Sequence, residues 1–350
     1  MLKNNYKVII VGAGPSGLST ALNLLKEGVS DILVIEKLSF PRYKCCAGYI
    51  TSKTKNEYAK LGLNIENCNY SLIKSFNIFY KNKQRLNISN KFLFTNSKID
   101  RVELDYALFK TAKENGVNIL ENTKISEHDE KNRLLTLTNG KKVVYDYLVF
   151  ADGTTGFGSK YRKARNKNIA MQLVFESDIK ESIDIHFGIT KHGYGWVSSY
   201  NGVTNVGITD VYNPKINYKK VFDEFLIKLD ISANINGLKG AFTPMNAGQP
   251  VLFGNVCYVG DAVGACDPMT LSGLRYALKS GEMCALAISE NDLSIYKKYI
   301  KNLGARFFFM RVMQKIFYFA PVLWLGFNFF CRFFGGVVSK IFNNFFVNKK

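Results

Sequence analysis

The chain has 350 residues, 47% of them hydrophobic and 21% charged, and a formal net charge of +19. Such a composition excludes a disordered chain, and the length allows two domains or one domain carrying a large insertion. The positive excess suits nucleic acid, an anionic membrane surface or an anionic substrate, yet no helix-turn-helix, zinc-finger or RNP pattern supports nucleic acid.

The apolar run Val8–Val11 is too short for a secretory signal and leads straight into glycines. Tyr6–Val11 reads as a fully apolar strand, the residues to about Glu27 as an amphipathic helix, and Asp31–Glu36 as a second apolar strand. Together they make one βαβ unit on a buried parallel sheet. Residues 73–95 read as short alternating strands, Arg101–Glu114 as a helix and Val117–Leu120 as a third parallel strand. Residues 123–150 read as a meander ending in Tyr147–Ala151. From Ala170 to Asp210 the pattern is strand-like with Gly breaks, which predicts an antiparallel sheet. Asn217–Leu229 reads as helix, Val256–Val259 as a buried strand and Leu271–Ala287 as a long helix. No linker rich in Pro, Gly or Ser separates them, so the sheet is expected as an insertion between two halves of a nucleotide domain. The 7 cysteines form no CxxC pair and no metal-ligand spacing, which suits reduced cytosolic thiols. His128, His186 and His192 likewise show no ligand spacing, so no metal is expected.

Gly12-Ala13-Gly14-Pro15-Ser16-Gly17 has the GxGxxG spacing between a strand and a helix. The first Gly allows a tight turn, the second a close approach of backbone to pyrophosphate, and the third close helix–strand packing. The helix that follows offers free N–H groups and a favourable dipole to the phosphates. Glu36 closes the second strand, about 20 residues on, where an acid binds a ribose hydroxyl. The far end of the chain decides between NAD and FAD. There Gly260-Asp261-Ala262-Val263-Gly264 follows an apolar strand and precedes a helix. A carboxylate at Asp261 can accept from ribityl or ribose hydroxyls, and the helix start near Gly273 can approach the ring and pyrophosphate. An NAD dehydrogenase needs no such second segment, so FAD is the expected cofactor. The plainer alternative is a turn with an Asp cap.

These residues together resemble the geranylgeranyl reductase family, within the wider superfamily of FAD hydroxylases, halogenases and related reductases, over most of residues 7–285. Pro41-Arg42-Tyr43-Lys44-Cys45-Cys46-Ala47-Gly48 is similar to the family's P-R-x-K-x-C-G-G segment. Arg101 and Asp105 resemble an R-x-x-x-D element, Ala151-Asp152-Gly153 an A-D-G turn, and Gly260–Gly264 a G-D-A-x-G turn. The resemblance implies that Arg101 approaches the flavin nucleotide, that Asp152 belongs to the cofactor site, and that Cys46 lies near the flavin as a catalytic candidate. Arg42 is expected at a phosphate, which its planar fork suits. Tyr194-Gly195-Trp196 resembles the start of a substrate-facing Y-x-W-x-F-P segment, so Tyr194 and Trp196 are substrate candidates, with core packing as the alternative. Ala47, Ser198-Ser199 and Leu271-Ser272-Gly273 depart from the family pattern, two of them where substrate meets flavin.

The implied fold is α/β. A Rossmann-type FAD-binding domain (1–165 and 251–290) carries an inserted antiparallel β-sheet substrate domain (166–250) and a C-terminal helical region (291–350). From Leu293 onward there is no Asp or Glu, but there are ten Lys or Arg among many Phe. That mixture suits an anionic membrane surface. The uncharged stretch Ile316–Cys331 is shorter than the ~20 residues of a spanning helix, and Pro321 is expected to break it. A lid over an apolar pocket and a single tilted span are the competing readings of this tail. The expected activity is FAD-dependent reduction of carbon–carbon double bonds in an isoprenoid or other apolar substrate. NAD(P)H, ferredoxin or a quinol-linked donor would supply electrons. The protein would be cytoplasmic and peripheral to the inner face of the membrane. An FAD monooxygenase or halogenase, and a membrane-associated electron-transfer flavoprotein without a lipid substrate, are the alternatives.

Overall fold

A computed structural model describes residues 3–72, 75–80, 83–89, 97–161, 167–244 and 254–319. The elements run β1 (Asn5–Val11), α1 (Pro15–Lys26), β2 (Ile32–Ile35), β3 (Tyr49–Ile50), α2 (Ser52–Lys60), β4 (Tyr70–Leu72), β5 (Ser75–Tyr80), β6 (Lys83–Ser89), β7 (Ser97–Ile99), α3 (Arg101–Glu114), β8 (Asn118–Leu120), β9 (Ile125–Asp129), β10 (Leu134–Leu137) and β11 (Lys142–Phe150). They continue β12 (Lys167–Glu176), β13 (Ser182–Phe187), β14 (Tyr194–Tyr200), β15 (Val203–Val211), α4 (Tyr218–Lys228), β16 (Lys239–Pro244), β17 (Val256–Tyr258), α5 (Leu274–Ser289) and α6 (Leu293–Phe319).

The first sheet has the order β8-β2-β1-β11-β10-β9, with β17 alongside β11. Its centre is parallel and its β9–β10 edge antiparallel. Every side chain of β2 is buried, as are Val8–Val11 and Tyr147–Phe150, which is why these strands read as continuous apolar runs. Helix α5 lies across α1 at close range. A β-carbon on Gly281 would fall 2.6 Å from the Ser16 carbonyl oxygen, and Ser19 Oγ donates to the Leu278 carbonyl at 2.7 Å. This crossing locks the distant half of the nucleotide domain onto the first helix. Helix α6 buries Tyr296, Ile300, Leu303, Phe307 and Met310, a stripe at three- and four-residue spacing.

The second sheet has the order β16-β12-β15-β14-β13-β5-β6. It draws β5 and β6 from ahead of α3, and the β5–β13 pair is parallel while its other pairs are antiparallel. One face carries Leu173, Val197, Val206 and Ile208 against Phe222 and Phe225 of α4. Alternation turns Gln172, Tyr194, Trp196 and Ser198 to the opposite face. Helix α5 begins at Leu274 instead of Leu271, because Leu271 itself is left-handed (φ 55). The expected break at Pro321 and the rest of the basic, aromatic tail from 320 onward lie outside the described residues.

His186 sits on the α4 face, 3% exposed, stacked on Phe79 at 4.4 Å and edge-on to Phe225 at 5.3 Å. Neither ring nitrogen has a hydrogen-bond partner. Burial pushes its pKa down to about 4. The unfolded chain therefore binds a proton below the ordinary histidine value of 6.5 that the folded chain refuses. Stability contributed by the neutral ring is present at pH 7 and is lost as pH falls from 6.5 toward 4, by an amount on the order of 3 kcal/mol. Urea unfolding across that range should show the loss, and His186→Phe should flatten it. An unchanged slope in the variant would assign the acid sensitivity elsewhere.

Candidate active site

The turn after β1 brings the fingerprint to the carboxyl end of the parallel strands. Gly12 is left-handed (φ 104), and a β-carbon there would sit 2.6 Å from the Ala151 carbonyl oxygen. Gly17 is pressed harder, since its β-carbon would fall 1.9 Å from the Gly12 carbonyl oxygen. Both are therefore required by the protein itself. Gly14 differs. Its backbone is ordinary extended (φ −74, ψ 177), and an added β-carbon would meet only Arg42 Nη2, at 3.6 Å. The space over Gly14 is left free for something the chain does not supply.

Helix capping points the same way. Thr51, Asp100 and Asn217 cap α2, α3 and α4 with side-chain oxygens. Helices α1 and α5 begin at Gly14 and Gly273 with no side-chain cap and no acid in the first turn. Two uncapped N-termini, each opened by glycine, present orphan N–H groups to one region, the arrangement that accepts anions. Gly260, left-handed at φ 62, would place a β-carbon 2.6 Å from Ser16 Oγ, so the acidic turn is pressed onto α1. Its N–H donates to Ser280 Oγ at 2.9 Å, and the Gly264 N–H donates to the Asp261 carbonyl at 3.1 Å. A β-carbon on Gly273 would lie 3.3 Å from Asp261 Oδ1. Asp261 and the open end of α5 thus face each other.

Glu36 is 4% exposed and accepts from the N–H groups of Ala13 (2.9 Å) and Leu38 (3.1 Å). It shapes the fingerprint turn and keeps lone pairs for a hydroxyl. Arg42 lies over the Phe40 ring at 4.7 Å, with Nη2 3.6 Å from Glu36 and Nη1 3.9 Å from Asp105. Arg101 Nε and Nη2 donate to the two Asp105 oxygens at 3.0 and 3.1 Å. Burial alone would lower the Arg101 pKa, but the adjacent Asp105 carboxylate, together with Cys46 and Tyr58, outweighs it and holds the value above normal. The buried Arg101 and the half-buried Arg42 thus balance two buried anions. The Arg42 Nε nevertheless has no partner. Asp152 accepts from the Gly158 N–H at 2.8 Å, and its other oxygen is buried without a partner. Burial pushes its pKa up to about 6, against the pull of the Gly158 N–H. These donors, the bare Gly14 and the acids at both ends fit a dinucleotide with a negative pyrophosphate and hydroxyl-bearing sugars. Among the described residues no His, Cys, Asp or Glu group could hold a metal ion.

Cys46 is half-buried and near enough to influence Arg101, Tyr49, Tyr58, Tyr194 and Cys266. Tyr194 donates to the Thr270 carbonyl at 2.8 Å and so ties the second sheet to the loop before α5. Trp196 is buried, its Nε1 donating to Asn205 Oδ1 at 2.8 Å and its ring filling the space a Gly207 β-carbon would take. It packs the sheet face beside Tyr194. The loop between them and α5 is organised by Asp267, whose Oδ1 accepts from the Met269 (2.9 Å) and Thr270 (3.1 Å) N–H groups. Sequence reasoning had not singled out Asp267, Tyr49 or the Gln172–Tyr43 bond (3.0 Å). Tyr49, whose buried hydroxyl turns toward Ser198, joins this cluster from a different sheet, a contact that nothing local in the sequence reveals.

Residues 5–202 match the family described as FAD binding domain. An uncharacterised protein of Methanosarcina barkeri is 32% identical over 299 residues, covering 82% of this chain and 75% of its own. A menaquinone reductase of Mycobacterium tuberculosis is 25% identical, covering 82% of this chain and 77% of its own. A digeranylgeranylglycerophospholipid reductase of Methanococcoides burtonii is 24% identical, covering 86% of this chain and 80% of its own. The crystal structure of a geranylgeranyl bacteriochlorophyll reductase-like protein from Thermoplasma acidophilum superposes with a TM-score of 0.78 at 21% identity, covering 91% of this chain and 88% of the other.

Proposed function

From the premise that this chain belongs to the FAD-binding domain family, as a geranylgeranyl reductase-like FAD-dependent oxidoreductase, we propose that it saturates carbon–carbon double bonds in the isoprenoid chain of a lipid or quinone. The observation that carries this reading is the apolar wall beside Cys46. Ile183, Ile185 and Phe187 of β13 share the sheet face of Tyr194 and Trp196, by direct pairing across the strands. That wall can align a long hydrocarbon and exclude water. Saturating an alkene requires a hydride, the chemistry FAD supplies when bound, and a proton, which must come from the protein. The Cys46 Sγ, beside Arg101, is our proton donor to the second carbon. Lipid mass spectrometry of cells with and without the gene should show polyprenyl species that differ by two hydrogens per double bond. Identical lipid profiles would contradict the reading.

Cys46→Ala should then slow alkene reduction by about 10²-fold or more, while flavin reduction by the donor stays near the wild-type rate. Stopped-flow absorbance separates the two steps. Equal slowing of both would reduce Cys46 to a support for the cofactor.

We also propose that α6 rests on an anionic membrane. Phe308 and Phe309 are 64% and 65% exposed and Val312 and Met313 are exposed with them. Lys297, Lys298, Lys301 and Lys315 are exposed on the same helix. Among the described residues no helix is long and apolar enough to cross a membrane, so the contact proposed is peripheral. Replacing Phe308 and Phe309 together by Asp should release the protein from phosphatidylglycerol vesicles in co-sedimentation. Undiminished binding would remove α6 as the contact.

A further inference from the structure

Tyr58 is 0% exposed, and its hydroxyl makes no hydrogen bond. A buried hydroxyl without a partner costs stability that phenylalanine, alike in shape but for one oxygen, would not. The sequence nevertheless keeps it on the inner face of α2, beside Thr54 and Glu57. Its surroundings give a reason. The hydroxyl lies close enough to Arg101, Asp105 and Cys46 to feel their charge, so α2 delivers it to the start of α3, where the segment carrying Cys46 also arrives. Burial pushes the Tyr58 pKa well above the usual tyrosine value, with the Arg101 guanidinium pulling the other way. The hydroxyl therefore keeps its proton and serves as a donor.

Two acceptors stand near that donor, and one is already engaged. Asp105 takes Arg101 Nε and Nη2 at 3.0 and 3.1 Å and has Arg42 at 3.9 Å. The other is the Cys46 sulfur, which the Arg101 guanidinium also stands beside. A protonated thiol is a weak acceptor, whereas a thiolate draws charge-assisted hydrogen bonds. That difference explains an unmade bond at Tyr58: the donor is in place before the charge that it would meet. Arg101 cannot meet that charge by itself, because Asp105 already balances it. A sulfur beside a near-neutral ion pair gains little net attraction, and the hydrogen-bond donors around it decide how well a negative charge is held. Tyr49, three residues beyond Cys46, turns its own buried hydroxyl toward Ser198, which leaves Tyr58 as the donor on the α3 side.

We propose that Tyr58 is a positioning residue for proton delivery, its hydroxyl bonding the Cys46 sulfur once that sulfur has become a thiolate. In this step the S–H bond breaks, its proton forms the C–H bond at the second alkene carbon, and the electron pair stays on sulfur. Tyr58 and Arg101 hold the charge there until a solvent proton restores the thiol. The proposal rests on the alkene-reductase reading, in which Cys46 gives up that proton. The test uses the full chain loaded with FAD and the variant Tyr58→Phe, which removes only the unpartnered oxygen. Its urea midpoint should equal or exceed that of the wild type, and it should bind FAD fully. Alkylation of Cys46 by iodoacetamide, followed by peptide mass spectrometry, should nevertheless slow by about tenfold, as should the anaerobic alkene step. In a Cys46→Ala background Tyr58→Phe should slow the alkene step no further, since it acts through the sulfur. Where bound flavin shields the thiol from the reagent, this double-variant comparison carries the test. Wild-type alkylation and alkene rates in Tyr58→Phe, or a further tenfold loss in the Cys46→Ala background, would overturn the assignment. Slow alkylation with an unchanged alkene step would uphold the link between Tyr58 and Cys46 and sink Cys46 as the proton donor. A slow Cys46→Ala enzyme beside an unaffected Tyr58→Phe enzyme would do the reverse.

Discussion

Gly14→Val is expected to give a folded, colourless protein. The backbone at Gly14 is extended and accepts valine without strain, and its β-carbon would meet only the end of the Arg42 side chain, at 3.6 Å. Stability should therefore change by less than about 1 kcal/mol. The branched side chain would nevertheless occupy the approach to the orphan N–H groups of α1, where a pyrophosphate must come within hydrogen-bond distance. Flavin occupancy after reconstitution with excess FAD should fall from near full to background in the visible spectrum. Gly17→Ala is the contrasting variant. Its β-carbon would lie 1.9 Å from a carbonyl oxygen of the same turn, so about 1–3 kcal/mol or more of stability should go, and flavin with it. A yellow Gly14→Val protein at full occupancy would mean that the fingerprint holds no phosphate.

Asp105→Ala should be the most destabilising single change in the site. Asp105 is 2% exposed and receives both arms of Arg101 while standing 3.9 Å from Arg42. Removing it leaves the buried Arg101 and the half-buried Arg42 guanidinium groups with Glu36 as the nearby anion. A loss of about 3–5 kcal/mol in urea unfolding is expected. The double variant Arg101→Met with Asp105→Leu should recover most of it, because no unpaired charge then remains buried. If Asp105→Ala cost under about 1 kcal/mol, the network would be a solvated surface feature and not a buried one.

The nucleotide half was legible because its constraints are local. A glycine that must be left-handed, an apolar run buried on both faces and an acid at the end of β2 each leave a mark within a few residues, and α3 begins and ends where its sequence said. The second sheet was less legible. β5 pairs with β13 across more than a hundred residues, and nothing in the alternation of 75–80 reveals that partner. Arg101 was expected at the flavin nucleotide, and the sequence did show Asp105 one helical turn on. It could not show that Arg42 and Glu36 would close the same network, since that depends on how the 37–48 segment folds back over α3. Leu271, in a stretch that departs from the family pattern, is left-handed despite its side chain. The helix consequently starts three residues later than its periodicity suggested.

The contest between alkene reduction and oxygen-dependent chemistry turns on who accepts the electrons. Protein reduced to the two-electron level under argon and mixed with a tetraprenyl substrate should recover its yellow absorbance at the rate at which product two hydrogens heavier appears, one double bond lost per flavin reoxidised. A flavin that stays bleached until air is admitted, with the isoprenoid recovered unchanged, would contradict the account.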